Sequence, residues 1–271
     1  ANIRSLKDLI NLVTGKEDAQ HQTSGASGLA DIQPFPFLAL VGLEELKLAL
    51  LLAVINPAIG GALLLGPRGT GKTTAARGLS ALLPMVERSS CYYGCLPEDV
   101  DAGGMDAVCP DCARKFAEGA LAKITEPMRI VELPLSSTLE DVVGNLDERA
   151  LVHDRTRIKR GILSQADQNL LYVDEVNLLP APVSDAILDA AAQGAYTIRH
   201  GGLSATYWSR FILIGSMNPA EGSLRPQIMD RFGLRVYVHP LEEPQARLAA
   251  YQRAQQYRQN PQQYALLFNE E

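Results

Sequence analysis

No apolar run in these 271 residues is long enough to cross a bilayer. The longest candidate, Leu46 to Ile55, is broken by Pro57 and the Gly60-Gly61 pair. The N-terminus lacks a basic stretch followed by an apolar run and a small-residue cleavage site. No secretory signal is legible, and a cytoplasmic location is the expectation. Positive charge is in deficit. The net charge of −6 argues against broad nucleic-acid binding, although it leaves room for a local basic patch. Histidine is scarce, and His21, His153, His200 and His239 are scattered with no two at ligand spacing. None is assigned a catalytic role. There is no internal repeat and no long low-complexity tract. What remains is an ordinary globular composition, 46% hydrophobic and 21% charged, with enough length for one large core or two smaller ones.

Against this background one stretch stands out: Gly66-Pro67-Arg68-Gly69-Thr70-Gly71-Lys72-Thr73, which reads G-x-x-x-x-G-K-T. Such a loop cradles the phosphates of a nucleoside triphosphate. The apolar Gly61 to Leu65 ahead of it reads as a buried strand, and Thr74 to Leu83 behind it as a helix. Glycines let backbone N–H groups turn onto phosphate oxygens, and the helix start adds its positive dipole end. Lys72 would reach the β- and γ-phosphates, and the Thr73 hydroxyl would ligate Mg²⁺.

Residues 1–20 read as an amphipathic helix on Ile3, Leu6, Leu9, Ile10 and Val13, and residues 21–33 as a flexible linker. The helix is either a docking element or packed on its own domain. The main domain starts at about Phe35, with a helix over Glu44 to Ile55. After the strand before the phosphate loop, four more are expected at Met128–Leu133, Leu170–Asp174, Phe211–Gly215 and Leu234–Val238. Near-continuous apolar strands alternating with helical patterns (Pro182–Ala192 among them) predict an α/β layered sandwich on a parallel sheet. Pro244 to Tyr257 reads as a further helix.

Strand Leu170 to Val173 runs into Asp174-Glu175. At a strand's C-terminal end Asp174 can hold Mg²⁺ and Glu175 can polarise the attacking water. Asn218, after the Phe211–Gly215 strand, would lie between the phosphate loop and the acidic pair; Asn218-Pro219 also reads as a turn. Arg231 is either a structural ion-pair residue or an arginine that reaches a neighbouring subunit's nucleotide.

The four cysteines all fall between residues 91 and 112, as Cys91-x₃-Cys95 and Cys109-x₂-Cys112. Two close pairs at this separation have the spacing of a closed tetrahedral zinc site. Disulfides, free thiols and an iron–sulfur cluster are the alternatives.

The motifs in this order resemble the AAA+ ATPases. The segments Phe35-Pro36-Phe37, Val41-Gly42-Leu43, Val143-Gly144-Asn145-Leu146-Asp147, Tyr172 to Leu179, Gly215 to Pro219 and Leu224 to Gly233 are similar to the ATPase subunit of magnesium chelatase, over about residues 34–268. The resemblance implies a P-loop AAA+ three-layer sandwich on a five-stranded parallel sheet. It assigns Lys72 and Thr73 to Walker A, Asp174 and Glu175 to Walker B, Asn218 to sensor 1, and Arg231 to an arginine finger acting in trans. Val41 and Gly42 match the adenine-side segment, with Thr74 closing the loop's binding set; Leu43 stands where the family commonly has Gln. Two inserts match, a helix-2 insert over 139–159 and a hairpin over 196–208, beside the cysteine insert at 91–112. The basic run Arg155, Arg157, Lys159 and Arg160 in the first insert reads as a solvated face. Some magnesium-chelatase-like ATPases carry a comparable cysteine insert. No C-terminal helical lid with a sensor-2 arginine is legible before Glu271, and the expectation is a core whose site other polypeptide completes. The implied activity is ATP hydrolysis by a ring, usually hexameric, with ATP, Mg²⁺ and structural Zn²⁺. Its implied partners are an integrin-like-domain subunit and a large chelatase subunit that inserts Mg²⁺ into protoporphyrin IX. Two other readings stand beside it: a chaperone-type ATPase acting with an integrin-like-domain partner on another metalloenzyme or complex, and a nucleotide-holding switch without turnover.

Overall fold

The computed structural model describes residues 33–89, 91, 95–96, 99–100, 104–105, 108–119, 123–146, 158–200 and 203–268. The helix and linker expected before Gln33, the tip of the first insert (147–157, with Arg155 and Arg157) and the Gly201-Gly202 turn lie outside them.

The elements follow in the order α1 (Glu44–Ile55), β1 (Ala62–Leu65), α2 (Lys72–Gly78), β2 (Met85–Ser89), α3 (Pro110–Ala117), β3 (Lys123–Pro127), β4 (Ile130–Leu133), α4 (Leu139–Val143), β5 (Gly144–Leu146), β6 (Ile158–Arg160), α5 (Ile162–Gln165), β7 (Leu170–Val173), α6 (Ala181–Gln193), β8 (Ala195–His200), β9 (Leu203–Trp208), β10 (Ile212–Met217), α7 (Pro226–Met229), β11 (Leu234–Tyr237), α8 (Pro244–Gln259) and α9 (Pro261–Leu266). The five strands expected from the sequence, three of them near-continuous apolar runs, assemble into one sheet in the order β11-β1-β10-β7-β4. Every pairing in it is parallel.

Side chains alternate across this sheet, and both faces are covered. Ala62, Leu64, Leu170, Tyr172, Ile212 and Ile214 face the layer of α1 and α2, where Leu46, Leu50, Ala75 and Ala76 meet them. Leu63, Leu65, Leu171, Val173 and Leu213 face the other layer, built on Val142, Leu163, Val183, Ile187 and Ile228. The result is a three-layer α/β sandwich. Helix ends follow local chemistry. Thr138 and Asp141 form a reciprocal capping box that starts α4. Gly194 takes a left-handed conformation, φ 66°, that ends α6.

Smaller antiparallel pairs hang from the sandwich. β5 pairs with β6 at the base of the first insert, and β8 pairs with β9 from Ala195↔Trp208 to His200↔Leu203. β2 and β3 pair beside the cysteine segment. Two local readings need correction. The helix expected over Thr74–Leu83 starts at Lys72 and tightens into a 3₁₀ turn over Leu79–Leu82. Arg160, read as part of a solvated basic face, is buried with its guanidinium 4.2 Å from the Tyr207 ring centroid. The stacking face of Tyr207 offsets the cost of removing that cation from water.

Candidate functional site

Three strand ends converge. β10 lies between β1 and β7, with Leu65 opposite Met217 and Gly215 opposite Val173. The segments leaving their C-terminal ends are Gly66–Gly71, Asp174-Glu175 and Asn218, so the crevice forms where open α/β sheets bind ligands.

The loop leaves β1 through a position that only glycine fits. A Cβ on Gly66 would sit 2.3 Å from the Val238 carbonyl oxygen. Gly69 and Gly71 take φ of 80° and 87°, where other residues are strained. The space beside Gly69 is open, with no atom within 4 Å of where a Cβ would stand. Gly71 caps α2, which begins at Lys72. The Lys72 ammonium donates to the carbonyl oxygens of Gly66 and Pro67, both at 2.7 Å. Burial holds its pKa below the ordinary lysine value, against the opposing charges of Asp174, Glu221 and Glu175.

Around the acidic pair the hydrogen bonds are dense. Thr73 Oγ1 donates to Asp174 Oδ2 at 3.0 Å, and Ser216 Oγ donates to Asp174 Oδ1. Tyr172 OH donates to Thr73 Oγ1 at 3.0 Å. Burial pushes the Tyr172 phenol up to about 12. Glu175 is one of few non-glycine residues with left-handed backbone, φ 49°. Its carboxylate meets Arg68 at 2.8 Å. Arg68 also pairs with Glu221 at 2.8 Å, and Asn218 Nδ2 donates to Glu221 Oε1 at 2.7 Å. The Asn218 hydrogen bond is the main cause holding the Glu221 carboxyl below its usual value, with Arg68 adding to it. Asn218 Oδ1 also accepts from Ala220 N at 3.2 Å, so the side chain serves the turn and the crevice together.

Two cavities adjoin here. One of about 190 Å³ is lined by Arg68–Thr74, Asp174, Glu175 and Ser216–Asn218. The other, about 640 Å³, shares Gly69–Gly71 and Thr74 with it and runs between Val41, Leu43 and Leu241. Charged side chains of Arg68, Lys72, Asp174 and Glu175 line the first, while Val41, Leu43, Pro240 and Leu241 line the second. That division fits triphosphate in one and a planar base in the other. Gly42 holds the second wall in place. Its φ of 64° favours glycine, and a Cβ would come 2.9 Å from Leu241 Cδ2. Leu43 continues with φ 62° and lines the cavity.

Arg231 lies elsewhere, after α7. It is exposed and forms no ion pair among the described residues, whereas Arg225 and Arg235 nearby pair with Asp185 and Asp230. The structure brings Lys72, Thr73, Asp174, Glu175 and Asn218 together and leaves Arg231 exposed and outside the cavity lining. Tyr172, Ser216 and Glu221 are the site residues that sequence reasoning missed. Ser216 and Tyr172 sit in motifs already singled out, yet only the β7–β10 register shows where they point.

The cysteines form a second constellation. The sulfurs of Cys91, Cys95, Cys109 and Cys112 all lie within 4.8 Å of one another, and no disulfide joins them. Cys95, Cys109 and Cys112 are buried. Backbone N–H groups of Cys95 and Cys109 donate to the sulfurs of Cys91 and Cys95, each at 3.3 Å. Arg160 donates to Cys95 Sγ at 3.7 Å. Hydrogen bonds from the Cys109 and Cys95 thiols pull Cys91 down, while burial pushes Cys112 up to about 12. The four converging side chains share thiol protons at close range. A dication would replace those protons. Four sulfurs with N–H donors fit a metal that prefers tetrahedral thiolates.

Comparison with known proteins agrees with this geometry. Residues 143–231 match the family described as magnesium chelatase, subunit ChlI. The chain is 43% identical over 238 residues to a magnesium-chelatase subunit ChlI homolog of Methanocaldococcus jannaschii, covering 88% of this chain and 64% of that protein. It is 39% identical over 239 residues to magnesium-chelatase subunit ChlI of Euglena gracilis, covering 88% and 68%. Among solved structures it is similar to a chain of the BchI–BchD complex of magnesium chelatase from a cryo-EM reconstruction. That match has a TM-score of 0.66 and 37% identity, covering 88% of this chain and 74% of that one. The chain thus spans somewhat under two thirds of the archaeal relative's length and 68% of the Euglena one. With a five-stranded parallel sheet, a phosphate loop and this degree of identity, the chain belongs to the magnesium-chelatase subunit I family of AAA+ proteins.

Proposed function

We propose that this chain is the ATP-hydrolysing motor subunit of a magnesium-chelatase-type complex, working as a ring, hexameric by family resemblance. The observation that carries the reading is the convergence of Lys72, Thr73, Asp174, Glu175 and Asn218 on one cavity at the ends of β1, β7 and β10. ATP would lie with its base against Val41, Gly42 and Leu43 and its phosphates on Gly66–Thr73. Lys72 would exchange the Gly66 and Pro67 carbonyls for β- and γ-phosphate oxygens, which answer its buried charge better than neutral acceptors do. Mg²⁺, when bound, neutralises charge that develops on the phosphates. Thr73 and Asp174 would hold it. Glu175 would accept hydrogen from the attacking water and aim it in line, and Asn218 would set the γ-phosphate side of that water. Arg68 is exposed and holds Glu175 from the solvent side, so Glu175 would turn to the water once the crevice is occupied.

Arg231 would act on a neighbour's nucleotide. Its exposed position and lack of an ion pair among the described residues support this over a structural role. Cys91, Cys95, Cys109 and Cys112 would hold a structural zinc. The two inserts, carried on β5–β6 and β8–β9, would transmit the cycle to an integrin-like-domain subunit and a large subunit that inserts Mg²⁺ into a porphyrin.

Glu175→Gln tests the reading. The variant is expected to bind ATP with wild-type affinity and to release phosphate at under about a hundredth of the wild-type rate. Wild-type phosphate release by that variant would refute the role given to Glu175.

A further inference from the structure

β7 places one polar atom inside an otherwise apolar strand. Leu170, Leu171 and Val173 carry only carbon side chains, while Tyr172, 1% exposed, lies among Leu170, Ile212 and Ile214 on the face toward α2. A phenol buried there is costly unless its hydroxyl is bonded. Its hydroxyl donates to Thr73 Oγ1 at 3.0 Å. Thr73 Oγ1 in turn donates its single hydrogen to Asp174 Oδ2 at 3.0 Å. A threonine hydroxyl has one hydrogen and two lone pairs. Asp174 takes the hydrogen and Tyr172 occupies one lone pair. The second lone pair alone is left, with its direction fixed by the other two. Ser216 completes the arrangement by donating to the other oxygen of Asp174.

From this geometry we propose that Tyr172 is a positioning residue for the divalent cation. It locks the Thr73 hydroxyl so that its remaining lone pair faces the metal that Thr73 and Asp174 share. The inference rests on the MgATP reading of the crevice. Tyr172 touches neither nucleotide nor metal. It acts through Thr73, as outer-sphere partners of metal ligands do.

Tyr172→Phe keeps the ring and deletes one oxygen, so the sheet retains its packing. The measurement is affinity for a fluorescent ATP analogue in the Glu175→Gln background, in EDTA and across a MgCl₂ titration, with thermal unfolding alongside. The MgCl₂ concentration that gives half of the metal-dependent gain in affinity should rise about tenfold. Affinity in EDTA and the unfolding midpoint should stay at the parental values. In a Thr73→Ala background, Tyr172→Phe should add no further shift. An unchanged MgCl₂ midpoint, an equal weakening in EDTA, or an additive effect on top of Thr73→Ala would overturn the inference. If the parental protein itself gains no affinity from MgCl₂, the MgATP reading fails and the inference falls with it.

Discussion

Lys72 shows how a single residue trades stability for function. Burial lowers its pKa from 10.5, so folding is disfavoured while the side chain is charged. Because the folded-state value lies below the unfolded one, the penalty is complete below the folded value. It fades as pH rises through that value toward 10.5. Lys72→Met is therefore expected to abolish ATP binding without lowering the unfolding midpoint at neutral pH. Any advantage of the variant should shrink as pH is raised, and scanning calorimetry against pH checks this. Residue identity at this scale was largely legible. The G-x-x-x-x-G-K-T spacing and the Asp174-Glu175 pair announce their chemistry in the chain. Tyr172 and Ser216 did not, because their partners are 99 and 42 positions away, nor did Glu221, whose partner Arg68 is 153 positions away, although Asn218 is close to it in sequence. Such contacts depend on strand order and register, which local pattern does not encode.

Among the elements, buried strands were the easiest to read. β1 and β7 are unbroken apolar runs because both faces of the sheet are covered. β2 and β3 escaped notice. Met85-Val86-Glu87-Arg88-Ser89 mixes polar and apolar residues, and its pairing with β3 lies outside the main sheet. α9 was not read from the sequence; Asn260 caps it by accepting from Gln263 N at 3.1 Å. Strand packing and the cysteine insert can each be tested by one substitution. Gly66→Ala would drive a methyl to 2.3 Å from the Val238 carbonyl oxygen, parting β1 from β11. It should cost about 3 kcal/mol or more by denaturant unfolding. In the cysteine insert, metal analysis should find one zinc per chain. Cys109→Ser should lose it and open the 91–112 segment to protease, while the sandwich keeps its helical circular-dichroism signal. Arg160 joins this segment to β9 through Cys95 and Tyr207, so the damage should reach the hairpin.

At the scale of the molecule, the crevice is lined by the phosphate loop, the acidic pair and Asn218, and Arg231, which is exposed, is not among its lining residues. In the proposed ring, each subunit would lend Arg231 to the next. The family resemblance drew Arg231 into the site. The chain's own spacing left its role open, since a residue acting across subunits has no partner within one sequence. Arg231→Ala alone and Glu175→Gln alone should each cut ATPase turnover at least about a hundredfold. The most direct test is to mix the two inactive variants in equal amounts and measure phosphate release. If Arg231 works in trans, roughly a quarter of the interfaces pair an intact Glu175 with an intact Arg231, and activity returns toward that fraction. If the mixture stays as inactive as either variant alone, the site is not completed by a neighbour and the account is wrong.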